Sequence, residues 1–298
     1  MNLRSTTCAT AAAERVSTIG IRSNPMGNRA YIGTGRWLLW RLLRAVWTIG
    51  GFLPFRPEVQ GTETLPTSGA YLLLANHTSA LDPVWVAHPI GRPAHFMASS
   101  SLFRNKALGA FLTAVGAFPK EVFVRDDQSA DKVAELLRNG QVVQIMPEGA
   151  RSWDGHLMPV RKGIGRFAQK FGVPVVVCRV RTGHLWFPRW AVWPRWVPLR
   201  LEYSAPKTWP KSAAVEDIWS DIVAAMTIPV TADFTGTRTF GFRTAEGLPT
   251  LLWACPRCFA IDATRGEKST FSCSACQSSW TVEVDNRMTG EHPTSVSE

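Results

Sequence analysis

The sequence is poor in charged residues and especially in acids, and its N-terminal apolar segment is short. Charged residues make up 19% of the 298 positions, and 33 Lys and Arg stand against 23 Asp and Glu. The uncharged run at residues 45–55 contains two glycines and a proline. It is shorter than the ~20 apolar residues that a transmembrane helix needs. We therefore predict a globular chain in which this segment does not span a bilayer.

Tyrosine is also scarce, with 3 Tyr against 13 Trp. The net charge of +10 suits an acidic partner, which is either nucleic acid or an anionic membrane leaflet. Indole rings favour the headgroup level of a membrane. The tryptophan content therefore favours the membrane as the partner.

The N-terminal segment lacks the features of an export signal. Residues 1–30 are rich in Ser, Thr, Ala and Gly, carry one acid, Glu14, and contain no apolar h-region. We expect residues 1–35 to form a disordered N-terminus without a secretory signal. Because nothing here encodes export, we expect reduced cysteines and a cytosolic setting.

Four of the six cysteines are spaced like the ligands of a zinc ribbon. Two Cys-x2-Cys pairs are separated by fourteen residues, and their members are Cys255, Cys258, Cys273 and Cys276. This spacing predicts a structural zinc site. A module of this size needs a metal in order to fold by itself.

The ribbon is predicted at residues 251–288, after a linker at 228–250 and before a disordered tail at 289–298. Between residues 251 and 288, four basic side chains balance four acidic ones. A net charge of zero argues against nucleic acid as the partner of this module. A protein partner at the ribbon is the alternative.

An apolar segment with regularly spaced arginines opens the main domain, which is predicted at residues 36–227. Helical spacing places Arg41, Arg44 and Thr48 on one narrow stripe, with apolar and indole side chains elsewhere. The pattern is typical of a helix that lies in the membrane interface. The alternative is a core helix whose arginines reach out to solvent.

Apolar strands alternate with helical segments through this domain. Strands are predicted at 71–75, 122–124, 141–146 and 173–180. This alternation predicts an α/β fold, a layered sheet with flanking helices and with ligands at the strand ends, followed by a small C-terminal β zinc ribbon.

The first predicted strand delivers a histidine to a polar turn. His77 follows the strand, and Asp82 stands five residues later, before a proline. Across a turn the carboxylate can fix the tautomer of the imidazole and leave its other nitrogen free as a base. The alternatives are a hydrogen-bonded turn histidine and a helix N-cap role for Asp82.

A second polar turn, Pro147-Glu148-Gly149-Ala150-Arg151-Ser152, ends another strand. Its glycine permits close approach of a ligand to the backbone, so the turn is typical of a binding loop, with an ordinary surface turn as the alternative. Further along, residues 184–196 interleave four tryptophans with arginines. That segment is predicted to lie in a membrane interface or to stack nucleobases.

Together these motifs resemble the glycerolipid acyltransferase family, which includes 1-acylglycerol-3-phosphate acyltransferases. The four matching boxes are Asn76-His77-x-Ser79-x-x-Asp82, Phe123-Val124-Arg125, Pro147-Glu148-Gly149-Ala150-Arg151-Ser152 and Val173-Pro174-Val175-Val176. Departures from the family pattern are Met146, Ala150 and Val177. The match to the second box is loose, because Lys120 competes with Arg125 for the role of binding the phosphate.

The resemblance implies a mechanism and a set of roles. His77 would take the proton of a lysophospholipid hydroxyl, and Asp82 would orient its ring. Glu148 would hold an arginine or a glycerol hydroxyl. The residues implied to bind substrate are Arg125, Glu148, Gly149, Arg151 and Lys162.

The resemblance also implies an acyl thioester donor, either acyl-CoA or acyl-carrier protein, and a peripheral or monotopic location on the cytoplasmic face of a membrane. The sequence has no Gly-x-Ser-x-Gly nucleophile motif. The alternatives are transfer to another lysolipid and a catalytically idle, membrane-docked adaptor whose ribbon binds protein. A nucleic-acid-binding protein is a third, less favoured class.

Overall fold

The computed structural model describes residues 33–122, 124, 126–228, 239–290 and 294–295. The predicted disordered N-terminus lies outside these residues except at its end, where Thr34 begins a helix.

A seven-stranded sheet forms the centre of the main domain. Its strands are β1 (Glu58–Gln60), β2 (Tyr71–Ala75), β3 (Ala94–Ser99), β4 (Ala117–Lys120), β5 (Val142–Ile145), β6 (Val175–Val180) and β7 (Arg200–Tyr203). Their order is β1-β7-β6-β2-β5-β3-β4. The pairs are parallel except β6 with β7. The predicted α/β layered sheet is thus confirmed.

Helices cover both faces of this sheet. They are α1 (Thr34–Trp47), α2 (Leu53–Phe55), α3 (Asp82–Ala87), α4 (Lys106–Ala114), α5 (Asp127–Arg138), α6 (Gly163–Phe171), α7 (Gly183–Trp186) and α8 (Val215–Met226). Apolar side chains of α5, α6 and α8 pack on one face, and those of α3 and α7 pack on the other. A sheet covered on both sides requires continuous apolar strands, as the sequence of β2 shows.

The central strand, β2, places the polar turns together. Its five residues are fully buried, and it pairs in parallel with both β5 and β6. Carboxyl ends of parallel strands meet at one edge of a sheet, where ligands bind in α/β folds. The turns that follow β2 and β5 therefore lie side by side.

Helix α1 is a surface helix. None of its residues is buried, and Leu38, Leu42 and Val46 are exposed at four-residue intervals. A π-helical turn, Thr48–Phe52, connects it to α2. Among the described residues, no helix combines the length and the apolar character needed to cross a membrane.

The strand predicted at 122–124 is wrong at the residues that the structure describes. The strand in this region is β4, which ends at Lys120, and Val124 is 61% exposed. The buried aromatic residue of this strand is Phe118, which pairs with Met97 of β3. Phe123 and Arg125 of the predicted second box lie outside the described residues.

A five-stranded antiparallel sheet follows. Its strands are β8 (Thr264–Glu267), β9 (Thr270–Cys273), β10 (Ser279–Val282), β11 (Arg287–Gly290) and β12 (Thr294–Ser295). The sheet continues beyond residue 288, where a disordered tail was expected. Phe271 and Trp280 are buried in its core, whereas Trp253 is 56% exposed.

Part of the predicted linker belongs to the core of this second sheet. Ala245 and Leu248 are fully buried against Trp190 and Trp280. The sequence around them contains Gly, Thr and Pro and too few apolar residues to show a periodic pattern. Residues 229–238 of the predicted linker lie outside the described residues.

Candidate active site and cysteine cluster

His77 and Asp82 form a hydrogen-bonded pair at the carboxyl end of β2. Nδ1 of His77 lies 3.1 Å from Oδ2 of Asp82. The Asp82 side chain is fully buried, whereas that of His77 is 22% exposed. Because Nδ1 faces the carboxylate, Nε2 is the ring nitrogen available to a substrate.

The turn between these residues orients the carboxylate. Oδ2 of Asp82 accepts hydrogen bonds from the backbone N–H groups of Thr78 and Ser79, at 2.5 and 2.7 Å. Oδ1 accepts the hydroxyl of Ser79 at 2.6 Å. The N-cap role considered for Asp82 is wrong: Leu81 occupies that position, and the carboxylate points back towards the turn.

The backbone of His77 is fixed by the loop that follows β5. Its N–H donates to Oε1 of Glu148 at 2.6 Å, and its carbonyl accepts the N–H of Ser152 at 2.7 Å. Oε2 of Glu148 accepts the N–H of Met158 at 2.6 Å. The buried carboxylate of Glu148 therefore positions the backbone of His77 and Met158. The role predicted from the sequence was to hold an arginine or a glycerol hydroxyl.

Burial raises the pKa of Glu148 to about 7, and the charge of Asp82 also raises it. The N–H groups of Met158 and His77 act in the opposite direction, because they stabilise the ionised carboxylate. A buried acid titrating near neutrality, in contact with the backbone of a histidine, is typical of a functional site.

Gly149 occupies a position that other residues would strain. Its φ is +77°, and a Cβ there would lie 2.8 Å from Nε of Arg161. The guanidinium of Arg161 thus lies against the predicted binding loop, and its backbone N–H donates to the carbonyl of Pro147 at 3.0 Å. Sequence reasoning selected the neighbouring Lys162. Both cations stand immediately before helix α6 (Gly163–Phe171), and that position was the available signal for both.

Lys162 is engaged elsewhere. Its Nζ lies 2.9 Å from Oε1 of Glu216 and 5.2 Å from the ring centroid of Trp219, on the exposed surface between α6 and α8. The predicted role of Lys162 in substrate binding is therefore not supported by its contacts. Arg151 lies in the loop after Glu148, and Arg125 is outside the described residues.

Two further residues at this edge of the sheet were given no role from the sequence. Asn76 donates to the carbonyl of Val180 at 2.9 Å and accepts its N–H at 2.7 Å, which joins the ends of β2 and β6. A Cβ at Gly183 would collide with Oγ1 of Thr78 and lie 3.2 Å from Oδ1 of Asp82. Gly183 therefore permits α7 to approach the turn closely.

The four cysteines of the predicted ribbon converge. Their sulfur atoms all lie within 4.8 Å of one another, and the pairs Cys255–Cys276 and Cys258–Cys273 are each 3.7 Å apart. Four sulfurs about 2.3 Å from a tetrahedral zinc ion lie about 3.8 Å apart. The backbone N–H of Arg257 donates to the sulfur of Cys255, which stabilises a thiolate. The donor set and its spacing fit zinc.

The segment that contains the first of these sites is similar to known proteins. Residues 56–181 match the model of a family described as Acyltransferase. The chain is 33% identical over 135 residues, 44% of its length, to the chloroplastic 1-acyl-sn-glycerol-3-phosphate acyltransferase BAT2 of Brassica napus. It is 29% identical over 120 residues, 40% of its length, to the 1-acyl-sn-glycerol-3-phosphate acyltransferase of Bacillus subtilis strain 168. These matches span 39% and 59% of the two relatives.

The fold is similar to that of a solved structure. The 1-acyl-sn-glycerophosphate acyltransferase PlsC from Thermotoga maritima superposes with a TM-score of 0.50 at 20% sequence identity. The superposition covers 64% of this chain and 80% of that one. At this identity the likeness concerns the fold.

Proposed function

We propose that the chain transfers a fatty acyl group from a thioester to the free hydroxyl of a lysophospholipid, because residues 56–181 match the model of the acyltransferase family. The proposed acceptor is 1-acylglycerol-3-phosphate, and the product is phosphatidic acid. The observation that carries the proposal is the His77–Asp82 pair, whose histidine is held through both its backbone N–H and its carbonyl. The names of the Brassica and Bacillus relatives support the acceptor.

The reaction proceeds by direct attack. Nε2 of His77 takes the proton of the acceptor hydroxyl while its oxygen bonds to the thioester carbonyl carbon. The resulting tetrahedral intermediate expels the thiolate of the donor, acyl-CoA or acyl-carrier protein, and the imidazolium returns the proton to that sulfur. Asp82 stabilises the imidazolium, and a positioned base of this kind contributes about 10²–10⁴-fold.

Ser79 is not a nucleophile in this scheme. Its hydroxyl donates to Oδ1 of Asp82 at 2.6 Å, so its proton is directed to the carboxylate and away from the imidazole. A serine activated by histidine would donate to the ring instead. The acyl group therefore passes to the acceptor without an acyl-enzyme.

Cationic residues beside the histidine would hold the phosphate of the acceptor. Arg151 is next to Ser152, whose N–H binds the carbonyl of His77. A guanidinium pairs with phosphate through parallel hydrogen bonds. Arg125 retains this proposed role from the sequence.

We assign membrane contact to helix α1. Its exposed side chains Leu38, Leu42 and Val46 continue into Ile49 and Leu53 at helical spacing, which forms one apolar stripe. The guanidinium of Arg41 lies 4.8 Å from the ring centroid of Trp37. An apolar stripe beside arginine and tryptophan suits peripheral docking on an anionic leaflet, here its cytoplasmic face.

The cysteine cluster is proposed to hold a structural zinc ion. Cys255, Cys258, Cys273 and Cys276 would supply four thiolates, and the closed set would leave no position for a substrate. The exposed side chains of Phe259 and Ile261, beside the first cysteine pair, are where a protein partner of the ribbon would make contact.

An acceptor panel tests the proposed function. Palmitoyl- and oleoyl-CoA are offered with lysophosphatidic acid, other lysophospholipids and a monoacylglycerol. We expect transfer to lysophosphatidic acid with the highest kcat/KM. A higher kcat/KM for a lysophospholipid with a different headgroup would show that the proposed acceptor is wrong. If neither acyl-CoA nor, in a second assay, an acyl-carrier protein supports transfer to any acceptor, the idle-adaptor alternative is favoured.

A further inference from the structure

Two arginines from separate segments meet beside the candidate active site. Nη1 of Arg189 donates to the backbone carbonyl of Arg151 at 2.9 Å. Its guanidinium also lies over the indole of Trp153, with Cζ 4.0 Å from the ring centroid. Arg189 is outside the segment matched by the acyltransferase family, which ends at residue 181.

Among the residues that the structure describes, this arginine pair has no acidic partner. Within the part of the chain that is described, no ion pair joins either Arg151 or Arg189 to a carboxylate. Burial lowers the pKa of Arg189, and so does the charge of Arg151. A guanidinium held at the backbone of a second arginine, with no carboxylate paired to either, favours the binding of an anion.

The pair is connected directly to the catalytic turn. Ser152, which follows Arg151, donates its N–H to the carbonyl of His77 at 2.7 Å. An anion that bridges Arg151 and Arg189 would therefore lie beside the loop that fixes the histidine. Such a position would suit a molecule that carries both the phosphate and the reacting hydroxyl.

The loop that carries Arg189 is anchored on the cysteine ribbon. The guanidinium of the buried Arg195 donates to the carbonyl of Val284 at 2.8 Å and to Oδ1 of Asn286 at 2.6 Å. Trp190, the neighbour of Arg189, is buried in the core of the ribbon, and Trp153 packs against the same cluster. The ribbon thereby holds Arg189 and its stacking partner in place.

We propose that Arg189 is a second cationic residue of the acceptor site and binds the phosphate monoester together with Arg151. This inference rests on the proposed function and extends it to a residue outside the family domain. A phosphate monoester carries close to two negative charges at neutral pH and offers three acceptor oxygens, which suits two guanidinium groups. The loop that carries Arg189 and the ribbon would then contribute to selection of a phosphate-bearing acceptor.

Calorimetric binding to the full chain tests this inference without requiring turnover. The ligands are a short-chain 1-acylglycerol-3-phosphate and the monoacylglycerol of the same chain length, which lacks the phosphate. We expect Arg189→Gln to raise the Kd of the phosphate ligand about 10- to 100-fold, in keeping with the loss of charge-assisted hydrogen bonds. Arg189→Lys, which keeps the charge and loses the fork, should give an intermediate value.

Two controls make the result specific. Arg138→Gln removes an exposed arginine at the end of α5 and should leave both Kd values unchanged. The Kd of the neutral ligand should be the same in all variants. A Kd for the phosphate ligand that matches wild type in Arg189→Gln would overturn the inference. Equal weakening of both ligands would also overturn it, because Arg189 would then be structural.

The calorimetric measurement, read together with the acyl-transfer assay, separates this inference from the proposed function. If wild type binds the phosphate ligand through Arg189 but transfers no acyl group to any acceptor, the inference stands and the proposed function fails. If wild type binds the phosphate and neutral ligands equally, the arginine pair is not an anion site.

Discussion

The backbone N–H of His77 donates to the carboxylate of Glu148 at 2.6 Å, although 71 residues separate the two in the chain. The contact joins the ends of two neighbouring parallel strands, β2 and β5. A buried acid therefore holds the proposed base by its main chain, while Asp82 holds it by its ring. The predictions below follow from this arrangement.

Glu148→Gln should lower kcat at least about tenfold while the fold is retained. A glutamine has a single acceptor oxygen, so the N–H of either His77 or Met158 loses its partner, and the histidine is held less firmly. Steady-state kinetics and circular dichroism measure the effect. Glu216→Gln, which breaks an exposed ion pair with Lys162, is the matched control and should change little. Equal activities of the two variants would contradict a positioning role for Glu148.

The stability contributed by Glu148 should depend on pH. Burial raises its pKa to about 7 from an ordinary value of 4.5, so between these values the folded state binds more protons than the unfolded state. The free energy of unfolding therefore falls as the pH rises through this window. Below the window, the full contribution of Glu148 to the stability is present.

Urea unfolding at about pH 5 and about pH 8 measures this dependence. The stability of wild type relative to Glu148→Gln should be greater at the lower pH by on the order of 1–3 kcal/mol. A difference that stays constant, or that grows with pH, would show that Glu148 does not titrate in this range.

Gly183→Ala should destabilise the protein and lower its activity. The new methyl group would collide with Oγ1 of Thr78 and press towards the carboxylate of Asp82, which displaces the catalytic turn. Overpacking of this kind costs about 1–3 kcal/mol. In Gly163→Ala the added Cβ meets nothing within 4 Å, so that control should be neutral or slightly stabilising. Thermal unfolding of the two variants, read beside activity, decides the matter; equal melting temperatures would rule out the proposed clash.

Cys273→Ser should release zinc and unfold the ribbon while the seven-stranded sheet remains folded. The two sheets have separate cores, and a ribbon this small would need the proposed zinc ion in order to be stable. We expect the near-ultraviolet circular dichroism of Trp190 and Trp280 to be lost while the far-ultraviolet signal of the helices is retained. Chelation of the metal should give the same result. Cys178→Ser, in the buried strand β6, should keep its zinc content. Collapse of the whole chain would show that the ribbon is required by the main core.

Local sequence patterns predicted the strand ends but not the contacts between them. The His77–Asp82 pair follows from five residues across one turn, so it was predictable. The role of Glu148 depends on a backbone group 71 residues away, and a sequence gives no direct signal for such a contact. The same limit explains why Arg189 was read as part of an interfacial loop.

Burial was predicted well where apolar residues are periodic and poorly where they are isolated. The continuous apolar run of β2 is fully buried, as expected. In contrast, Ala245 and Leu248 complete the core of the ribbon from a stretch without periodicity, and Trp253 remains exposed beside it. Just before the second box, Phe118 is buried whereas Val124 is 61% exposed, because the pairing of β4 with β3 fixes the register of that strand.

The most direct test of the account is acyl transfer from oleoyl-CoA to lysophosphatidic acid, with wild type and His77→Ala assayed side by side. The account predicts phosphatidic acid from wild type and a loss of about 10²-fold or more in the variant, which should unfold at a similar temperature. Equal rates in the two proteins would contradict the assignment of His77 as the base.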